Sequence, residues 1–154
     1  MEKIASFTVD HCVMEPGIYI SRQDGDILTF DIRMLKPNTT YLQPSSAHTI
    51  EHLGATYLRN NEEFKDKIIY FGPMGCLTGF YLVTKFITET EAIKLIKSMF
   101  VFISEYEGAI PGCSKIECGN YLMHDLQTAK LNAETFVKET LSKMSSKLSQ
   151  YKKP

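Results

Sequence analysis

No stretch of this chain is apolar for long enough to cross a membrane as a helix, so a spanning segment is excluded on length. Basic residues are no more abundant: Lys and Arg total 17 against 18 Asp and Glu, a net charge of −1. No stripe of them is dense enough to suit nucleic acid. The opening residues, MEKIASFTVDHC, carry Glu2 and Asp10 and lack the apolar run of a signal peptide, so a cytoplasmic protein is expected. There is no internal repeat, linker or low-complexity segment. Cysteine is sparse, at four residues, Cys12, Cys76, Cys113 and Cys118. An even count allows two disulfides, but in a cytoplasmic protein metal binding or catalysis is the better use for some of them. Cys12 and Cys113 are read as packing or surface residues.

What remains is an ordinary soluble composition over 154 residues, 44% hydrophobic and 23% charged, which predicts one domain across residues 1–154. GIYISRQ and DILTFDIRM around Asp24-Gly25 read as a β-hairpin over 17–34. Residues 4–10 read as a further short strand. KIIYF (67–71) and GFYLVTKFI (79–87) read as two more strands around GPMGCLT. Three helices follow from the periodicity. One starts after Pro44, capped by Ser45 or Ser46. A second starts at a Thr88/Glu91 capping box and runs to about residue 106. The last is capped by Asp125. The polar tail SSKLSQYKKP, from about residue 145, is expected to fray. The expected fold class is α+β: a single domain with about four mostly antiparallel strands packed by three helices.

Histidine is as scarce as cysteine, with four residues, yet two of them stand close together in SSAHTIEHLGATY. At about 100° per helical residue, His48 and His52 lie about 40° apart on one face, and Glu51 lies about 60° to the other side of His48. Ile50, Leu53 and Tyr57 fall roughly opposite, so one face packs while the other looks into a site. Two imidazoles and a carboxylate on one edge suit a divalent metal with a proton carrier beside it. The bland alternative, two histidines on a surface helix, leaves the spacing and the separation from the apolar stripe unexplained.

A metal at that edge needs at least one more protein ligand, and a catalytic site keeps a position open. Cys76, Cys113, Cys118, His124 and Asp125 are the candidates in the glycine-rich loops. Cys118, beside Gly119, is favoured, with plain packing as the rival reading. His124 is read as a structural histidine or one that supports the ligands. H-x-x-E-H alone suggests an inverted-zincin metallopeptidase with Glu51 activating water. The same carboxylate can equally move protons on and off carbon. Cys76, in PMGCLTG, separates the two, because peptide hydrolysis by a metal needs no thiol. Proton transfer beside a carbonyl gains from a second acid–base group. A third reading, a metal that only staples the fold, leaves Glu51 idle.

Five stretches, SFTVDH (6–11), FDIR (30–33), HTIEHL (48–53), PMGCLTGFYL (73–82) and CG followed by HDL (118–126), run in order over most of the chain. Together they resemble the S-ribosylhomocysteine lyases of the LuxS family. The resemblance implies a homodimer with its active site near the subunit interface and one divalent metal per subunit, Fe2+, replaceable by Zn2+ or Co2+. It implies cleavage of S-ribosylhomocysteine to homocysteine and 4,5-dihydroxy-2,3-pentanedione, the precursor of autoinducer-2. His48, His52 and Cys118 match the metal ligands, and Glu51 and Cys76 match the acid–base pair. Ser6, His11 and Arg33 match polar residues around the substrate. Arg59, about 20° from His48 and about 16 Å along the helix, has the reach for the amino-acid end of the substrate or a neighbouring subunit's ligand, with a solvated arginine at the helix end as the rival reading. Two positions depart from the family pattern. Tyr70 stands where an acidic residue is common, three places before Pro73. The segment GCSKIE makes Cys113 a second sulfur near Cys118.

Overall fold

The computed structural model describes residues 1–152. Four antiparallel strands form one sheet in the order β1-β2-β4-β3: β1 is Gly17–Asp24, β2 Ile27–Arg33, β3 Ile68–Pro73 and β4 Gly79–Lys85. Three helices complete the α+β domain, α1 Pro44–Asn60, α2 Glu89–Glu105 and α3 Leu126–Glu139. Among the described residues, no helix is long and apolar enough to cross a membrane. Gly25 and Asp26 form the turn that joins β1 to β2, and Gly25 takes the left-handed conformation such a turn needs (φ 60°).

Alternation along the strands sorts the two faces of the sheet. Ile18, Phe30, Ile32, Phe80 and Leu82 are fully buried beneath the helices, together with Ile50 and Leu53 of α1 and Ile96, Met99 and Phe100 of α2. Burying each such side chain stabilises the fold by about 1.5–3 kcal/mol. Helix α1 lies close on β3, because a Cβ on Gly54 would come within 2.4 Å of the Phe71 ring. That contact fixes the helix so that its opposite edge, with His48 and His52, stays free of the sheet. The other face of the sheet presents Tyr19, Asp31 and Tyr81 side by side across β1, β2 and β4.

Three expectations from the sequence are corrected. Residues 4–10 form no strand; Ala5–Phe7 is a single 3-10 turn, with Ile4 and Phe7 exposed and the Phe7 and Thr8 N–H groups bonded locally to the Ile4 and Ala5 carbonyls. Neither Ser45 nor Ser46 caps α1. The helix starts at Pro44, which has no N–H to satisfy at its first position, and Gln43 stands at the cap without a side-chain bond. The tail does not fray over 148–151. Leu148 is buried, the Ser149 N–H donates to the Ile18 carbonyl (2.8 Å), and Tyr151 stacks on Tyr19 with centroids 4.7 Å apart. The Thr88/Glu91 capping box and the Asp125 cap, which accepts the Thr128 N–H at 3.0 Å, are present.

Candidate metal centre and thiol pocket

Four side chains converge where α1 meets the 108–124 loop. One ligand atom from each of His48, His52, Cys118 and His124 lies within 4.8 Å of the others. The Cys118 sulfur is 3.4 Å from His48 Nε2 and 3.9 Å from both His52 Nε2 and His124 Nε2. Metal–nitrogen bonds of about 2.0–2.1 Å and metal–sulfur bonds of about 2.3 Å place tetrahedral donors roughly 3.3–3.7 Å apart. The His48 separation falls inside that frame, and the His52 and His124 separations lie a few tenths of an ångström outside it.

Each ring is held by its other nitrogen. His48 Nδ1 donates to the Met123 carbonyl at 2.7 Å and His52 Nδ1 to the Pro111 carbonyl at 2.8 Å. A carbonyl can only accept, so both rings carry the proton on Nδ1 and turn a free Nε2 lone pair inward. Thr49 does the same for His124. Its hydroxyl donates to the Ser45 carbonyl (2.9 Å) and accepts the Asp125 N–H (2.9 Å), so it takes the His124 Nδ1–H as acceptor at 3.1 Å. Burial and the nearness of His48 and His52 lower His124 to about 4, which keeps it neutral and able to donate a lone pair.

Sequence reasoning placed His124 outside the ligand set, but the structure brings its Nε2 among the donors. The spacing from Cys118 to His124, at the mouth of the Asp125-capped helix, was the available signal. Of the two sulfurs in the loop, Cys118 joins the cluster. Cys113 turns to the Tyr121 carbonyl at 3.3 Å. Glu51 sits half-buried on α1 beside the histidines, outside the donor cluster. Arg59 is exposed at the end of α1, where it donates to the Ile69 carbonyl at 3.0 Å. Tyr70 is half exposed on β3.

Cys76 occupies a second place. The turn from Met74 to Gly79 bends sharply, with Leu77 in the left-handed region (φ 56°) and the Leu77 carbonyl accepting the Leu42 N–H at 2.8 Å. Gly79 permits the return, since a Cβ there would meet the Ile32 carbonyl oxygen at 2.1 Å. The sulfur faces Arg33 Nη1 at 3.6 Å and Thr78 Oγ1 at 3.1 Å. Arg33 Nη1 also donates to Thr78 Oγ1 at 2.7 Å, so the hydroxyl proton is free to point at the sulfur. Partial desolvation works to raise the Cys76 thiol, but the Thr78 hydrogen bonds and the Arg33 charge outweigh it and hold the thiol below its ordinary value. An open cavity of about 420 Å³ adjoins this thiol, lined also by His11, Asn38, Thr40 and Tyr41. Ser6 and His11 together line a small adjoining cavity against Arg33 and Asp31. The structure thus gathers Ser6, His11, Arg33 and Cys76 in one neighbourhood and His48, His52 and Cys118 in another.

The family model described as S-ribosylhomocysteinase (LuxS) matches residues 4–147, a span that includes both the Cys76 pocket and the His-His-Cys-His cluster. The chain belongs to the S-ribosylhomocysteinase family. Among curated relatives, it is 48% identical over 150 residues to an S-ribosylhomocysteine lyase of Phocaeicola vulgatus, covering 94% of this chain and 93% of the relative. It is 47% identical over 142 residues to one of Clostridium acetobutylicum, covering 88% and 90%. It is 45% identical over 157 residues to one of Desulfotalea psychrophila, covering 98% and 99%. Nearly the whole S-ribosylhomocysteinase domain is therefore matched in each comparison.

Proposed function

We propose that this chain is a carbon–sulfur lyase that cleaves S-ribosyl-L-homocysteine to L-homocysteine and 4,5-dihydroxy-2,3-pentanedione, the autoinducer-2 precursor. The observation that carries the reading is the pair of sites itself: a thiol held toward its thiolate by Arg33 and Thr78, in a chain that also gathers three imidazoles and a second sulfur. A peptidase has no use for the first.

His48, His52 and Cys118 would hold the metal, proposed as Fe2+ with Zn2+ or Co2+ able to substitute, with His124 positioned as a further donor. When bound, the metal supplies a Lewis acid for the sugar oxygens. The residues of the chain move the protons. The Cys76 thiolate takes the proton from C2 of the open sugar and returns it at C1, which carries the carbonyl from C1 to C2. A second transfer, from C3 to C2, carries the carbonyl to C3. Glu51 then removes the C4 proton, and the thioether, now β to the carbonyl, leaves from C5 as the homocysteine thiolate, which Glu51 protonates. No external oxidant or reductant enters. Ser6, His11 and Arg33 orient the sugar, and Arg59 meets the amino-acid end.

We place the reaction in a homodimer with the active site near the subunit interface and the whole chain, 1–154, as one lyase domain. Four free thiols are in keeping with the reducing cytoplasm. The deciding experiment incubates purified, metal-loaded protein with S-ribosylhomocysteine and titrates released thiol. Stoichiometric thiol is expected; none above background, with metal bound, removes the reading. The division of protons has its own test: Cys76→Ser should stop exchange of the C2 hydrogen with solvent, and exchange at the normal rate would reassign that step.

A further inference from the structure

On the sheet face away from the helices, a chain of contacts runs from the C-terminal segment to the Cys76 sulfur. Tyr151 lies flat on Tyr19, 4.7 Å between centroids and 6° between planes, and its hydroxyl donates to Asp31 Oδ2 at 2.8 Å. Asp31 accepts two further hydrogen bonds, from Arg33 Nε at 3.1 Å to Oδ1 and from Arg33 Nη2 at 2.7 Å to Oδ2. Arg33 spends its remaining nitrogen, Nη1, on Thr78 and on the Cys76 sulfur. Asp31 and Arg33 are 2% and 3% exposed. An ion pair so deeply buried is stable only when its leftover lone pairs are satisfied, and Tyr151 satisfies one of them.

We propose that Tyr151 is a positioning residue: its hydroxyl pins Asp31, Asp31 pins the Arg33 fork, and the free end of that fork is thereby held on Thr78 and Cys76. The tail then serves the reaction from a distance, and this role rests on the reading of Cys76 as an acid–base group. Three features support it. The ring stack and the Ser149–Ile18 backbone bond bring the tail to one register on β1, and Gly17 leaves room for it, since a Cβ there would meet Ser149 Oγ at 2.3 Å. Burial, with Asp31 adding to it, raises Tyr151 far above the working range, so its hydroxyl remains a donor at every pH the enzyme meets. The titratable groups packed around the pair are Tyr19 on β1, Tyr81 on β4 and His11 from the N-terminal segment. Burial raises both tyrosines, so neither competes as an anion.

Without the hydroxyl, the full charge of Asp31 draws on Arg33 and the sulfur loses part of its positive partner. The test follows alkylation of Cys76 by iodoacetamide as a function of pH, read on the Cys76 peptide by mass spectrometry, in metal-loaded protein. Tyr151→Phe keeps the ring stack and removes only the hydroxyl. Its Cys76 midpoint is expected to rise by roughly half a pH unit, the scale of weakening one charge-assisted hydrogen bond in a series. A chain ending at Gln150 should show a rise at least as large. The acid limb of the kcat profile should move the same way. An unchanged Cys76 midpoint in both variants overturns the proposal. Because the readout is the sulfur's own titration, it is decided separately from whether thiol is released from S-ribosylhomocysteine.

Discussion

The cluster around Cys118 and the pocket around Cys76 treat a sulfur in opposite ways. At Cys118 the neighbours are three imidazoles, each fixed by a hydrogen bond at Nδ1, and all of them turn Nε2 toward one point. Such a set repels nothing and attracts a cation. At Cys76 the neighbours are a guanidinium and a hydroxyl that offer only protons, next to an open cavity. Such a set stabilises an anion and admits a substrate. In the proposed reaction the same element serves as a ligand in one place and a base in the other, and the difference lies in whether donors or acceptors surround it.

The largest effects should separate the two sites cleanly. Cys118→Ala or His52→Ala is expected to lose bound metal, measured by elemental analysis after dialysis, and with it thiol release by about a thousandfold or more. Cys76→Ser should lose activity on the same scale while keeping its metal. A Cys76 variant that came back empty would break the comparison, because the two sulfurs would then belong to one binding unit.

Next in size is Arg33. Truncating it to Met leaves Asp31 buried without its partner, for which about 3–5 kcal/mol of stability is expected to be lost in denaturant melts. Because the charge at Arg33 lowers the Cys76 thiol, the pH dependence has a definite sign. In the native protein alkylation of Cys76 should persist below the ordinary thiol value of about 8.5. Arg33→Lys should move that midpoint upward, since an ammonium lacks the fork that reaches Asp31, Thr78 and the sulfur together. A midpoint unmoved by Arg33→Lys would assign the lowering to Thr78 alone.

A smaller effect sharpens the metal side. Thr49→Val removes the hydroxyl that orients His124 and caps the Asp125 N–H, while His48 and His52 keep their carbonyl partners. Roughly tenfold weaker metal binding is expected in chelator competition, the low end for the loss of an orienting partner. No change would argue against His124 as a donor and return it to the structural or supporting place that the sequence alone suggested.

How far the sequence anticipates these sites depends on how local their causes are. The His48/His52 edge is legible because both residues ride one helix, and the period of 3.6 places them without knowledge of anything else. The Asp24-Gly25 hairpin and the Thr88/Glu91 box are legible for the same reason. Asp31 and Arg33, two apart on β2, could be placed on one face of a strand. Their burial could not, because it depends on the termini folding over that face. The tail was misread on composition: SSKLSQYKKP is polar, yet Leu148 and Tyr151 alone suffice to dock it. His124 was undervalued because its partner, Thr49, stands 75 residues away in the chain.

The smallest expected effect concerns Arg59, which belongs to neither site by contact. It is exposed, and its one hydrogen bond goes to the Ile69 carbonyl, a group that water can serve as well. Arg59→Ala should therefore change stability by no more than about 0.5 kcal/mol. If the residue meets the homocysteine carboxylate, the loss must appear in KM with kcat held, because that end of the substrate does not react and binds alike in ground and transition states. A several-fold rise in KM is the expected outcome. An unchanged KM would make Arg59 a brace between α1 and β3, and the carboxylate would then need a cation from the Cys76 side, where Arg33 is already committed to Asp31.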